Sequence, residues 1–120
     1  MKKIIYTLLL LWGINSNAQT VKWAKDFGSS TNDVGTKIIS DANGNTYVTG
    51  WFTGNMTMGS TSLTVQGNND IYLAKLDSTG APIWAVSAGG TGDDRAYGLA
   101  IDANGDLYLT GLYSGTATFG

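Results

Sequence analysis

Two short motifs place oxygen-bearing side chains at alternate positions. Residues 41–45 read Asp-Ala-Asn-Gly-Asn, and residues 102–106 read Asp-Ala-Asn-Gly-Asp. Calcium loops use this kind of spacing, but they carry glycine at the sixth position and a carboxylate at the twelfth. Here glycine is fourth, and Phe52 and Tyr113 are twelfth. The motifs therefore predict hairpin turns stabilised by an aspartate side chain. Calcium binding is the alternative, and we assign no metal ligand and no cofactor.

A second group of carboxylates lies in glycine-rich loops. Asp33 and Asp94 occupy equivalent loops, and Asp93 adjoins the latter. A carboxylate pair could supply acid–base catalysis on a glycan. However, these acids recur at a fixed spacing, whereas an active site normally breaks the symmetry of an array. We therefore interpret them as caps of loops or strand ends and predict no catalytic residue.

Aromatic side chains are a third candidate, because they could form a carbohydrate-binding platform. The residues concerned are Trp23, Tyr47, Trp51, Trp84 and Tyr108. Most of them recur in register, which favours a role in packing between sheets.

Two sequence patterns match sites of glycosylation. Asn55–Thr57 fits the N-glycosylation pattern, and Asp77–Thr79 is similar to an O-glycosylation pattern of some Gram-negative surface proteins. The first is not expected to be modified after bacterial export, and the second reads more simply as a polar turn.

The composition removes several kinds of chemistry. The 120 residues include 17 Gly but no Cys, His or Glu. A thiol nucleophile, an imidazole base and the usual zinc sites are therefore excluded from these residues. The few basic residues are dispersed, which argues against nucleic-acid binding.

The first 18 residues resemble a signal peptide. Lys2 and Lys3 precede the apolar run 4–12, and Ser16 and Ala18 stand at the −3 and −1 positions of a cleavage site. The run is too short to cross roughly 30 Å of hydrocarbon comfortably. We predict a mature chain that starts at Gln19, keeps five basic and nine acidic residues, and has no membrane span. The expected location is secreted or at the outer cell surface.

An internal repeat of 61 residues organises the remainder. Residues 22–59 align with residues 83–120 without a gap, and 14 of the 38 pairs are identical. Within one unit, strands are predicted over 37–40, 46–53, 70–77 and 82–86, with a loop over 54–59. Both faces of the second strand are apolar, since Val48 and Phe52 alternate with Tyr47 and Trp51. Such a sheet needs a neighbour on each face, and radially stacked four-stranded blades would supply it.

The repeated residues carry a family resemblance. Trp84-Ala85, then Gly-Gly-Thr-Gly-Asp-Asp over 89–94, then residues 98–102 and 104–111 resemble the bacterial β-propeller repeat called the SBBP repeat. The resemblance covers residues 22–120, although the first copy departs from it at 28–31 and 36–37. It implies a secreted or cell-surface protein built as an all-β propeller.

Strand counting predicts an incomplete propeller over residues 19–120. A closing-type strand over 21–27 would precede one complete blade over about 36–86, and half a blade over 87–120 would follow. Because a propeller needs about four to eight blades, we expect the missing part of the same chain to supply the neighbouring blades.

The function that these features favour is a scaffold or binding module on the outside of the cell. Its expected partner is a protein or a glycan met through the loops at one edge of the ring. The alternative is the N-terminal part of a secreted propeller enzyme, a hydrolase or lyase, with catalytic residues beyond residue 120. The residues leave the enzyme question open and favour the scaffold.

Overall fold

The computed structural model describes residues 19–119, so the predicted signal peptide lies outside the described residues. The described part of the chain is all-β with antiparallel sheets, and it contains no helix of the length and apolarity that a membrane crossing requires. Nine strands follow one another: β1 (Asp33–Ser40), β2 (Thr46–Phe52), β3 (Met56–Met58), β4 (Thr61–Leu63), β5 (Asp70–Leu76), β6 (Pro82–Gly90), β7 (Arg95–Ile101), β8 (Leu107–Leu112) and β9 (Ala117–Phe119).

The largest sheet has five strands in the order β1-β2-β5-β6-β9. The first four form an antiparallel meander, as the repeat unit predicts. The fifth strand was not predicted: β9 comes from the second repeat unit and pairs with the end of β6. The four-strand expectation is therefore corrected to five for this sheet, because the second unit extends the outer edge of the first. Strands β7 and β8 form a separate pair that begins the second unit.

The predicted hairpin turns are confirmed. Gly44 and Gly105 adopt φ values of 83° and 90°, in the left-handed region that only glycine enters without a Cβ penalty. Gly80, which ends the turn between β5 and β6, has φ of 81°. Each turn is closed by a backbone bond from the glycine N–H to the carbonyl of the aspartate three residues before it. These three turns lie along one edge of the sheets, which we call the turn edge.

The segment predicted as a loop contains an additional hairpin. Strand β3 pairs with β4 around Gly59, whose φ is 60°. Met56, Met58 and Leu63 are buried in the main apolar cluster together with Phe52 and Tyr72 of the first sheet. The hairpin thus covers part of one sheet face, because its alternate apolar side chains need burial.

The two faces of the first sheet have different partners. The front face, which carries Val48 and Phe52, packs against the β3–β4 hairpin and Phe27. The rear face, which carries Tyr47 and Trp51, meets the second unit, where β7 packs against β1, β2 and β5. The predicted alternation of apolar residues on both faces is therefore confirmed.

Some boundaries differ from those predicted. Strand β1 starts at Asp33 rather than 37, and β6 continues to Gly90 rather than 86, so the first sheet spans 33–90 instead of about 36–86. Residues 21–27 were expected to be a strand, but the structure shows none there. A strand requires a ladder partner, and within the described residues this segment has none.

Candidate functional site

The loops between strands gather at the edge opposite the turn edge, and we call this the loop edge. It comprises residues 28–32, 66–69, 91–94 and 113–116. Equivalent loops of the two repeat units lie side by side there. The loop edge therefore holds every acidic residue that the sequence placed in glycine-rich loops.

Asp33 and Asp94 make equivalent hydrogen bonds in their two loops. Asp94 accepts the backbone N–H groups of Gly90 and Ser114, with N···O distances of 2.9 and 3.0 Å. Asp33 accepts those of Ser29 and Thr53, which stand 61 residues earlier. Each carboxylate thus joins the chain entering a unit to the loop that follows its second strand, which is the capping role that the sequence predicted.

A further carboxylate, which the sequence analysis did not single out, lies beside Asp94. Asp70 is 1% exposed and accepts the backbone N–H groups of Gln66 and Gly67 at 2.9 and 3.2 Å. A Cβ placed on Gly89 would lie 2.7 Å from Asp70 Cγ and 3.0 Å from Asp94 Oδ2. The two carboxylates therefore approach each other across the bare backbone of Gly89. No second copy of Asp70 occurs in the sequence, so the repeat gave no signal for it.

The electrostatics of this pair are unfavourable for two ionised groups. Burial raises the pKa of Asp70, the negative charge of Asp94 raises it further, and the two N–H donors lower it. Asp94 is fully buried as well. Because both carboxylates are enclosed and already accept backbone hydrogen bonds, a substrate has no access to them, and they act as locks between loops.

Backbone and side-chain bonds join the loop of the first unit to that of the second. Asn68 N–H donates to Gly92 O at 2.8 Å, and Asp94 N–H donates to Asn69 O at 2.9 Å. The Asn69 side chain donates to Asp93. Asp93 also accepts Arg95 Nε at 2.9 Å, which lowers the pKa of its carboxyl.

Arg95 has a second contact that the sequence did not reveal. Its guanidinium carbon lies 5.0 Å from the ring centroid of Trp51, within the range of a cation–π interaction. Arg95 therefore links the loop edge of the second unit to the rear face of the first.

The calcium-like motifs form turns at the other edge. Asp41 Oδ1 accepts the N–H groups of Asn43 and Asn45, both at 2.9 Å, and the Asn45 side chain donates to Oδ2. Asp102 accepts its two turn N–H groups in the same way, at 2.8 and 3.0 Å. The bond from the Asn45 side chain is the main cause that lowers the pKa of Asp41, and for Asp102 it is the bond from the Asp106 N–H. The carboxylates thus satisfy their own turns, and the described residues hold no cluster of three potential metal ligands.

The largest concave surface is a groove of about 500 Å³ on the front face. Residues from the N-terminal segment form one wall, and β1, β2 and β5 form its floor. The lining is mainly apolar, with two lysines: Trp23, Lys25, Phe27, Gly35, Thr36, Lys37, Ile38, Val48, Met58, Tyr72 and Leu76. A surface of this kind suits an apolar protein face better than a free sugar.

The candidate aromatic platform is not assembled. Tyr47 is buried and packs against Trp84, with ring centroids 6.2 Å apart. Trp51 lies under Arg95, Trp23 lies in the front groove, and Tyr108 is on the second unit. These rings are therefore distributed over several surfaces and do not form one site.

The two glycosylation patterns also contribute to local structure. Asn55 Oδ1 accepts the N–H of Val65 at 3.0 Å, which ties the two ends of the β3–β4 hairpin together. Asp77 accepts the Thr79 hydroxyl at 2.7 Å within the turn before β6.

Comparison with known proteins gives one relative. The chain is 26% identical over 117 residues to an uncharacterized WD repeat-containing protein of Acanthamoeba polyphaga mimivirus. The aligned region covers 92% of this chain but only 8% of that protein. No protein-family profile matches the chain. No solved structure matches it either. The likeness to a repeat protein agrees with the 61-residue repeat and the stacked antiparallel sheets.

Proposed function

We propose that this chain forms blades of a β-propeller of the SBBP-repeat kind and serves as an exported scaffold or binding module. The observation that carries the proposal is the stacking of two repeat units, with the front of the second against the rear of the first. Propellers are built by radial repetition of such contacts. The similarity to a WD repeat-containing protein supports the same architecture.

The loop edge is the surface proposed to meet the partner, a protein or a glycan. Its backbone is held by buried carboxylates and by bonds between neighbouring loops. Short polar side chains project from this frame and are exposed: Ser30, Thr31, Asn32, Asn68, Thr91 and Ser114. A preorganised polar surface binds a polar ligand without a large loss of conformational entropy.

The location is proposed from the leader and from the composition. Residues 1–18 have the order of a signal peptide, and the absence of Cys lets the fold form without disulfides outside the cell. The segment 21–27 is proposed to add as an outer strand to a neighbouring blade. Its sequence supports this, since Trp23-Ala24 repeats Trp84-Ala85 of β6.

Export is tested first, in a Gram-negative host that expresses the whole chain. We expect mass spectrometry to find Gln19 as the new N-terminus and a membrane-impermeant label to modify the chain on intact cells. An unprocessed chain that is protected from the label would contradict the proposed location.

Binding is tested with a photo-crosslinking residue at one edge or the other. Thr91 of the loop edge and Asn43 of the turn edge are both exposed, so either position tolerates the probe. We expect crosslinked partners at the cell surface from position 91 and not from position 43, and a glycan array identifies a sugar ligand. Equal crosslinking from both positions, with no sugar bound, would contradict the assignment of the loop edge.

A further inference from the structure

Equivalent positions of the two repeat units differ sharply in exposure on the front face. Leu99 of the second unit is 6% exposed, whereas Ile38, which stands 61 residues earlier, is 60% exposed. Ala96 is fully buried, but its equivalent Gly35 lines the open groove. The front of the second unit is therefore covered, and much of the equivalent surface on the first unit is not.

The rear face shows the opposite difference. Tyr47 of the first unit is 5% exposed, and its equivalent Tyr108 is 57% exposed. Leu112, the equivalent of the half-buried Trp51, is 39% exposed. The molecule thus has an uncovered front at one end and an uncovered rear at the other.

The junction inside the molecule shows how a front meets a rear. Strand β7 lies across β1, β2 and β5, and the Thr36 hydroxyl donates to Ala96 O at 2.8 Å. Leu109 of the second unit and Ile71 of the first line the same small cavity between the sheets. The contact joins mainly apolar surfaces and places few charges opposite one another, so most of its stability comes from burial.

We infer that copies of this chain associate head-to-tail, with the rear of the second unit of one copy on the front of the first unit of the next. The occupant is a second copy because the chain itself carries the rear-face residue types that cover a front at the internal junction. The association is heterologous, so each copy has one free donor face and one free acceptor face, and it can continue to further copies or close into a ring. This inference goes beyond the proposed function and needs neither a cell-surface partner nor a glycan.

The test is the molecular mass of the exported chain by light scattering and sedimentation across a wide concentration range. We expect the wild-type chain to form species larger than a monomer as concentration rises. Ile38→Asp alters only the front end, and Tyr108→Asp alters only the rear end, so each variant alone should be monomeric. A mixture of the two retains one good front and one good rear, and it should give a species of two chains and no larger one.

Three controls separate association from misfolding. Asn43→Asp adds the same charge at an exposed turn position and should associate like the wild type. Tyr108→Phe loses the bond from the phenol to Asp102 but keeps the ring, and it should associate too. If Tyr108→Asp loses its near-ultraviolet circular dichroism, Leu112→Asp replaces it. A monomeric wild type, or folded variants whose mixture stays monomeric, would overturn the inference, whatever the outcome of the crosslinking and glycan experiments.

Discussion

At the scale of single residues, the aspartates of this chain satisfy backbone N–H groups. Asp41 and Asp102 do so within turns, and Asp33 and Asp94 do so between a loop and the unit it enters. The sequence predicted these four roles because each occurs twice at the same spacing. Asp70 was not predicted, since its burial depends on the approach of Gly89 from another strand, and a single sequence gives no sign of that approach.

The raised pKa of Asp70 gives a prediction with a definite sign. Because burial raises this pKa in the folded state, the folded protein binds the proton more tightly than the unfolded chain does. The stability that this group contributes is therefore complete below its unfolded-state pKa of about 3.9 and is lost as pH rises through the folded-state value. We expect Asp70→Asn to become progressively more stable relative to the wild type as pH rises from about 3.5 to 7. Urea unfolding at a series of pH values measures the difference.

Asp41→Asn is the matched comparison, because hydrogen bonds lower the pKa of Asp41. Its carboxylate contributes stability above the unfolded-state pKa, and that stability is lost as pH falls through the folded-state pKa. The deficit of Asp41→Asn should therefore be largest near neutral pH and vanish in acid. Two variants with the same pH trend would show that the burial of Asp70 does not control its titration.

At the scale of strands, β9 joins the first sheet by a close approach of backbones. A Cβ on Gly90 would lie 1.9 Å from Thr116 O, so alanine cannot occupy this position while β9 is paired. We expect Gly90→Ala to release β9 and to cost about 1–2 kcal/mol. Hydrogen exchange should show loss of protection over residues 117–119, with protection of β2 and β5 retained.

The control for this variant is Gly35→Ala, also a strand glycine. Its added Cβ would meet only the hydroxyl oxygen of Tyr72 at 3.4 Å, an ordinary contact. Protection of β9 should be unchanged in Gly35→Ala. If Gly90→Ala also keeps β9 protected, the β6–β9 pairing is not the contact that fixes the end of the second unit.

The strands that the sequence predicted are those with internal evidence. Strands β2 and β5 combine apolar residues on two faces with flanking turns, and both were found within one residue of their predicted ends. The β3–β4 hairpin was missed because three-residue strands show too little alternation, and the burial of Met56 and Met58 comes from the front face. The segment 21–27 has the sequence of a strand, but it lacks a ladder partner in the structure.

At the scale of the whole molecule, the repeat predicted two stacked units, and the locations of its uncovered surfaces came from the structure. Composition gives the same apolar residue types to both units. Exposure differs because the first unit has a neighbour at its rear and the second has one at its front. The candidate binding surface behaves similarly: the sequence predicted loops at one edge, while the bonds between residues 68–69 and 92–94 required coordinates.

Leu99 and Ile38 provide the last prediction, because they occupy the same repeat position in different surroundings. Leu99→Ala removes a side chain that is 6% exposed at the junction, and it should cost about 2–4 kcal/mol. Ile38 is 60% exposed, so in dilute solution Ile38→Ala should cost about 1 kcal/mol or less. Head-to-tail association would bury Ile38 as the junction buries Leu99. Its cost should therefore rise with protein concentration, while that of Leu99→Ala changes less. Denaturant unfolding at several concentrations measures both. Equal costs at every concentration would mean that the two positions do not serve equivalent contacts.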